Sequence, residues 1–104
     1  MNVHVFSALA DPRRRELLMS LAEKSPLTAT QIASGYSITR QGVLKHLDIL
    51  QRARLVRAEK TGREKFYYLT PEPLTELDRW MRKIEARWDK RLTRLKTLLE
   101  SDKG

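Results

Sequence analysis

The sequence predicts a mainly α-helical fold carrying one small β-hairpin, and three observations support that reading. Apolar residues recur at helical spacing through most of the chain, as at Val43, Leu47 and Leu50. One stretch, "LVRAEKTGREKFYYLT", instead gathers valine, aromatic residues and threonine around a Thr61-Gly62-Arg63 turn. From Leu74 to Leu99 an apolar seam continues with no glycine or proline to break it, which predicts a single long helix.

Near the N-terminus, "VFSALA" is short and apolar, and Asp11-Pro12 then starts a new helix. Asp11 can cap it, and Pro12 occupies a first-turn position whose N–H is not needed. Leu17, Leu18 and Leu21 supply its inner face, Leu9 packs nearby, and Ser25-Pro26 ends it. "LTATQIAS" reads as a short helix opened by Thr28, with Gln31 three residues on as the capping-box partner. Ile32 and Ala33 face inward and Gly35 closes the helix. After the turn comes "SITRQGVLKHLDIL", capped by Thr39, so two helices joined by a short turn span about residues 28–52. The hairpin occupies about 55–70, with Gly62 supplying a positive φ at its tip. The last helix runs over about 73–100, and its stripe Leu74, Leu77, Met81, Ile84, Trp88, Leu92, Leu95, Leu99 advances in steps of three and four like a coiled-coil seam. There is no internal repeat, and only "SDKG" is expected to fray.

A chain of 104 residues accommodates one domain, 1–104, with a real core. Its formal charge of +8 and pI near 10.2 attract polyanions, either nucleic acid or an anionic membrane face. No run approaches the roughly 18 apolar residues of a membrane span, and the N-terminus lacks the order of a secretory signal. The expected setting is therefore the cytoplasm, without membrane attachment. The absence of cysteine excludes disulfides, thiolate metal sites and cysteine nucleophiles.

A helix-turn-helix followed at once by a basic hairpin is the logic of a winged helix. The second helix lies in the DNA major groove, and the hairpin wing reaches the flanking backbone or minor groove. From Ser37 to Lys65 eight basic residues face three acidic ones, a net of +5 out of the total +8. Arg40 and Gln41, at the start of the second helix, are the candidate base readers, because arginine pairs with guanine and glutamine with adenine in bidentate fashion. Thr39 caps, touches a phosphate, or does both. Gly42, which costs roughly 1 kcal/mol of helix propensity relative to alanine, is assigned to close approach of DNA, with simple tolerance as the alternative. Lys45, one turn deeper, is a phosphate contact; Arg63 is the wing-tip contact, supported by Lys60 and Lys65. The plainer reading of all these side chains is a solvated surface, with the wing charges blunting a strand edge.

His46 and His4 have no ligand-spaced partners in the sequence, and His46 reads as a half-buried structural histidine. No phosphate loop, nucleophile with base, or carboxylate pair appears, so no catalytic residue, metal or cofactor is assigned and the chain does not read as an enzyme. Asp78, Glu85 and Asp89 alternate with Arg79, Arg82, Lys83 and Arg87 as a salt-bridged outer face of the last helix. Its seam of about 25 residues, roughly 38 Å at 1.5 Å per residue, exceeds what the body before it can cover. A second copy is the expected partner, with Leu77, Trp80, Met81, Ile84, Trp88, Leu92 and Leu95 as dimer residues. The two tryptophans fill that dimer core or pack the helix on the body; a ligand-binding aromatic box is the lesser alternative.

These stretches resemble the ArsR-like winged-helix repressor family, in its branch without thiolate metal sites. "FSALADPRRRELLMSLA" is similar to the family's opening, "LTATQIA" to its first helix-turn-helix element, "ITRQGVLKHLDILQRARLV" to its recognition helix, and "GREKFYYLTPEPL" to its wing and exit. The resemblance implies a mainly α winged helix-turn-helix with a long C-terminal dimerisation helix. It also implies a homodimeric transcriptional repressor on a pseudo-palindromic double-stranded operator, often its own promoter, released by a signal the sequence does not name. By position it places Thr39, Arg40, Gln41 and Lys45 on the recognition-helix contacts and Arg63 on the wing tip. Three features depart from the family pattern. Leu44 stands where a serine usually precedes Lys-His-Leu, "TATQIAS" replaces the paired cysteines, and the last helix lacks the metal-site histidine. Two rivals remain from other classes, a basic protein that binds DNA without sequence preference and an interaction module that uses the last helix.

Overall fold

The computed structural model describes residues 4–101. Its elements are α1 (His4–Leu9), α2 (Pro12–Glu23), α3 (Ala29–Ser34), α4 (Arg40–Arg52), β1 (Val56–Thr61), β2 (Glu64–Leu69) and α5 (Glu72–Ser101). Of the tail expected to fray, the last three residues lie outside the described residues. Two compact units make up the chain, the first ending at Leu74 and the second beginning at Thr75.

In the first unit, local sequence sets each helix boundary. Asp11 has extended backbone and accepts the Arg13 N–H at 2.8 Å, with Pro12 in the first turn, so α2 starts where a cap and a donor-free residue coincide. The carbonyls at the end of α1 are taken up by the next helix. Arg14 donates to Ala8 O at 2.7 Å and Ser7 O at 3.0 Å, and Arg15 donates to Leu9 O at 2.6 Å. These bonds satisfy acceptors that a helix end otherwise leaves to water. Thr28 and Gln31 form the reciprocal capping box, with side-chain bonds of 3.1 and 2.8 Å. Thr39 Oγ1 accepts the Gly42 N–H at 3.0 Å and fixes the start of α4.

α4 ends in a Schellman motif: Arg54 N–H bonds Gln51 O at 2.9 Å and Leu55 N–H bonds Leu50 O at 3.0 Å. Arg54 takes φ 60, in the left-handed region where glycine is the usual occupant. Leu50 and Leu55, which flank this turn, are both fully buried. The hairpin pairs Val56 with Leu69 through Thr61 with Glu64, leaving Gly62 and Arg63 as a two-residue turn. Gly62 has φ 64 at the first central position, as a II′ turn requires. One residue beyond the expected hairpin joins the sheet. Leu27 exchanges both backbone bonds with Tyr67, at 3.1 and 2.8 Å, and so ties the segment before α3 to the wing.

The core gathers the predicted stripe of α4 (Val43, Leu47, Leu50) with Leu17, Leu18 and Leu21 of α2, Ile32 of α3 and Tyr67 of β2. Leu9 and Ala33 pack against it half-buried, and Val5 and Ala8 of α1 are fully buried. Truncating any fully buried leucine to alanine costs about 2–5 kcal/mol, so α4 is fixed to this body along its whole apolar edge. In the second unit, α5 carries an i,i+4 pair in which Arg82 Nε donates to Asp78 at 2.9 Å, and Glu85 adds its field to Arg82. No helix among the described residues is long and apolar enough to cross a membrane.

Candidate nucleic-acid interface

Thr39, Arg40, Gln41 and Lys45 are all exposed at the start of α4, whereas Val43, Leu47 and Leu50 are buried. α4 is therefore buried on one face and polar on the other. Lys60, Arg63 and Lys65 are likewise exposed on the wing. A groove of about 630 Å³ lies between α3, the start of α4 and the wing, and Arg40, Arg63 and Lys65 all contribute to its wall. Three cations from two elements that are distant in sequence thus converge on one concavity, with Glu64 as the acidic residue beside them. Gln41, Lys45 and Lys60 are not on this wall.

The side chains differ in how they are held. Lys65 Nζ sits 5.7 Å from the centre of the Tyr67 ring. Arg57, lower on the wing, pairs with Glu59 and lies 4.1 Å over the Tyr68 ring. Arg52 is engaged by Asp48 at 2.9 Å at the far end of α4. Gly42 has an account inside the molecule: a Cβ there would lie 3.0 Å from Ile38 Cγ1 and 3.3 Å from Thr39 Oγ1. Ile38 packs against the core just before the cap, so glycine at 42 makes room for it.

Three features of this surface were not assigned from the sequence. Thr30 and Ser34, from the polar face of α3, line the groove, which their i,i+4 spacing could have signalled. Phe66 enters it half-buried from β2. Leu44 does so from α4, one turn after Arg40, while also packing against the core.

His46 is half-buried, as the sequence suggested, and its Nδ1 is buried without a hydrogen-bond partner among the described residues. The Asp11 carboxyl is held below the usual carboxylate range chiefly by the Arg13 backbone N–H; partial burial opposes this, and Arg14 and then His46 add to the lowering. Among the described residues no cluster of three or more histidine or acidic side chains is placed to hold a metal ion.

On α5, Met81, Ile84, Trp88, Leu92 and Leu95 are between 38% and 57% exposed within the chain, and so is Leu99; Leu98, outside the predicted stripe, reaches 60%. Trp80 is 43% exposed, and Leu77 is half-buried. Arg91 lies 6.0 Å over the Trp88 ring.

Residues 9–59 match the family described as a helix-turn-helix domain. The chain is 34% identical over 101 residues to the HTH-type transcriptional regulator Rv2034 of Mycobacterium tuberculosis, covering 93% of this chain and 87% of that one. It is 32% identical over 78 residues to the transcriptional repressor SdpR of Bacillus subtilis, covering 75% of this chain and 86% of the relative. Among solved structures, an ArsR-like transcriptional regulator from Rhodococcus sp. RHA1 matches with a TM-score of 0.84 and 37% identity, over 94% of this chain and 89% of that one.

Proposed function

The chain belongs to the ArsR-like winged helix-turn-helix transcriptional regulators, and from that premise we propose that it is a homodimeric cytoplasmic repressor acting on a pseudo-palindromic double-stranded operator. The family is one of transcriptional regulators, not of enzymes. The observation that carries the DNA-reading geometry is the convergence of Arg40, Arg63 and Lys65 on one groove between the recognition helix and the wing. Arg40 and Gln41 read base edges, since the first turn of a recognition helix enters the major groove. Thr39 and Lys45 contact phosphates, and Arg63, with Lys60 and Lys65, holds the flanking backbone. Gly42 keeps the first turn of α4 slim, whether the crowding it avoids is Ile38 alone or DNA as well.

The second copy meets the first along α5. Its exposed apolar stripe has the three-four spacing of a helix–helix seam, and a twofold pair presents two recognition helices to two half-sites. Bound across a promoter, its own included, such a dimer excludes the transcription machinery.

Duplexes selected from a random pool, and footprinting on the promoter upstream of its own gene, test the reading. A selected site should be held at least about 10³-fold more tightly than bulk DNA. Arg40→Ala or Gln41→Ala should cost about 1–3 kcal/mol on that site and little on random sequence, while Arg63→Ala weakens both and flattens the salt dependence by about one unit of slope. Equal affinity for every duplex would instead mark a non-specific DNA binder, and a monomer with negligible DNA affinity would mark an interaction module.

A further inference from the structure

We propose that Leu44 is a specificity-determining residue that reads the C5-methyl group of a thymine in each half-site. The inference rests on the operator-reading role proposed above. On a helix advancing by about 100° per residue, Leu44 projects between Arg40 and Gln41, one turn further along. It lies on the wall of the same groove as Arg40, Arg63 and Lys65, only half-buried. Its other side packs against the core, so the side chain is held in place before any DNA arrives. A fixed apolar group on a surface built for a polyanion calls for an apolar counterpart.

The major groove offers one such group. Guanine, cytosine and adenine present hydrogen-bonding atoms there, whereas thymine adds a methyl beside its O4. Leu44 can neither donate nor accept, so a cytosine amino group or guanine oxygen pressed against it would lose water and gain no partner. A thymine methyl in the same place buries apolar surface on both sides. Leu44 therefore discriminates in both senses, attracting one base and rejecting others. Phe66, also half-buried, adds a second apolar side chain to the lining of the same groove.

The test uses the full chain and a duplex selected from a random pool, in which each thymine is replaced singly by deoxyuridine. That change removes the methyl and leaves base pairing intact. Binding by fluorescence anisotropy should show one thymine per half-site whose replacement weakens the wild type about fourfold, the factor expected for one buried carbon. Leu44→Gln, which keeps the stem against the core and changes the tip, should bind thymine and deoxyuridine equally at that position. It should remain sensitive elsewhere and shift the preferred base there on reselection. Leu44→Met, apolar and similar in volume, should retain the methyl dependence, which keeps the comparison available if the glutamine variant folds poorly. Indifference of the wild type to every replacement, a consensus lacking thymine, or equal sensitivity in wild type and Leu44→Gln would overturn the assignment. A pool that yields no preferred duplex would overturn the operator reading itself, a failure distinct from an operator that is bound but insensitive to its methyl groups.

Discussion

Replacing Arg54 by glycine should make the protein more stable, although the change deletes a side chain and relaxes the backbone. Arg54 is the residue after the C-cap of α4 and holds φ 60. That conformation costs an L-residue roughly 1–2 kcal/mol, because Cβ crowds the following carbonyl. Glycine removes the clash but has more backbone freedom to lose on folding, roughly 0.5–1 kcal/mol. The two bonds of the Schellman turn, at 2.9 and 3.0 Å, come from backbone N–H groups that glycine also carries, and the Arg54 side chain is exposed. Taken at the middle of the two ranges, the difference is a gain of about 0.75 kcal/mol, which for a domain of this size raises Tm by roughly 3–6 °C. Urea unfolding of the two proteins at one fixed concentration, so that subunit association is held constant, reads it directly. Arg54→Val is the opposite control, since a branched Cβ tolerates this conformation less well than arginine. A lower midpoint for the glycine variant would refute the reasoning and mean that the arginine side chain contributes more than the strain it imposes.

Thr28→Ala and Thr39→Ala should each cost about 1 kcal/mol in chemical denaturation. Thr39→Ser should restore most of that loss, because the bond to the Gly42 N–H needs only the hydroxyl. Asp11 has a depressed carboxyl pKa in the folded chain, so its contribution is complete above the ordinary carboxylate pKa near roughly 4 and is lost as pH falls through the lower folded value. Acid unfolding should therefore be shallower in Asp11→Asn than in the wild type, and identical acid limbs would remove Asp11 from the account. If the proposed dimer forms along α5, Trp88→Glu, in the middle of its exposed stripe, should leave the protein a monomer in sedimentation while the thermal unfolding of the chain stays cooperative. A variant that stays dimeric would place the interface elsewhere.

The legible parts of the fold are those set by neighbours in sequence. Asp11-Pro12, the Thr28/Gln31 box, Thr39 and Gly62 act on backbone groups within three residues, and each sits where the local rule puts it. The α4 stripe was readable because helical spacing alone decides which side chains share a face. What escaped depends on partners far along the chain. Leu27 joins the sheet through Tyr67, forty residues on, and one bridging residue has no periodicity to betray it. Arg14 and Arg15 close the end of the preceding helix, six residues back, and no local rule pairs an arginine with those carbonyls. Arg54 was invisible for a different reason, since the rule for that turn names glycine and the sequence departs from it.

The same division explains why the interface was only half legible. Charge marks Arg40, Arg63 and Lys65 as candidates, but nothing in the sequence says that they meet across one groove while Gln41, Lys45 and Lys60 lie off its wall. Gly42 and Leu44 make the point most sharply. Glycine in the first turn of a recognition helix looks like an accommodation to DNA, and leucine in a helix looks like core. In the folded chain the neighbour of Gly42 is inside the protein, at Ile38, and one side of Leu44 lies on the groove. A residue type records what its surroundings require without saying whether those surroundings are the protein or its partner. For a helix buried on one face and open on the other, that ambiguity is resolved only by knowing which way each Cβ points.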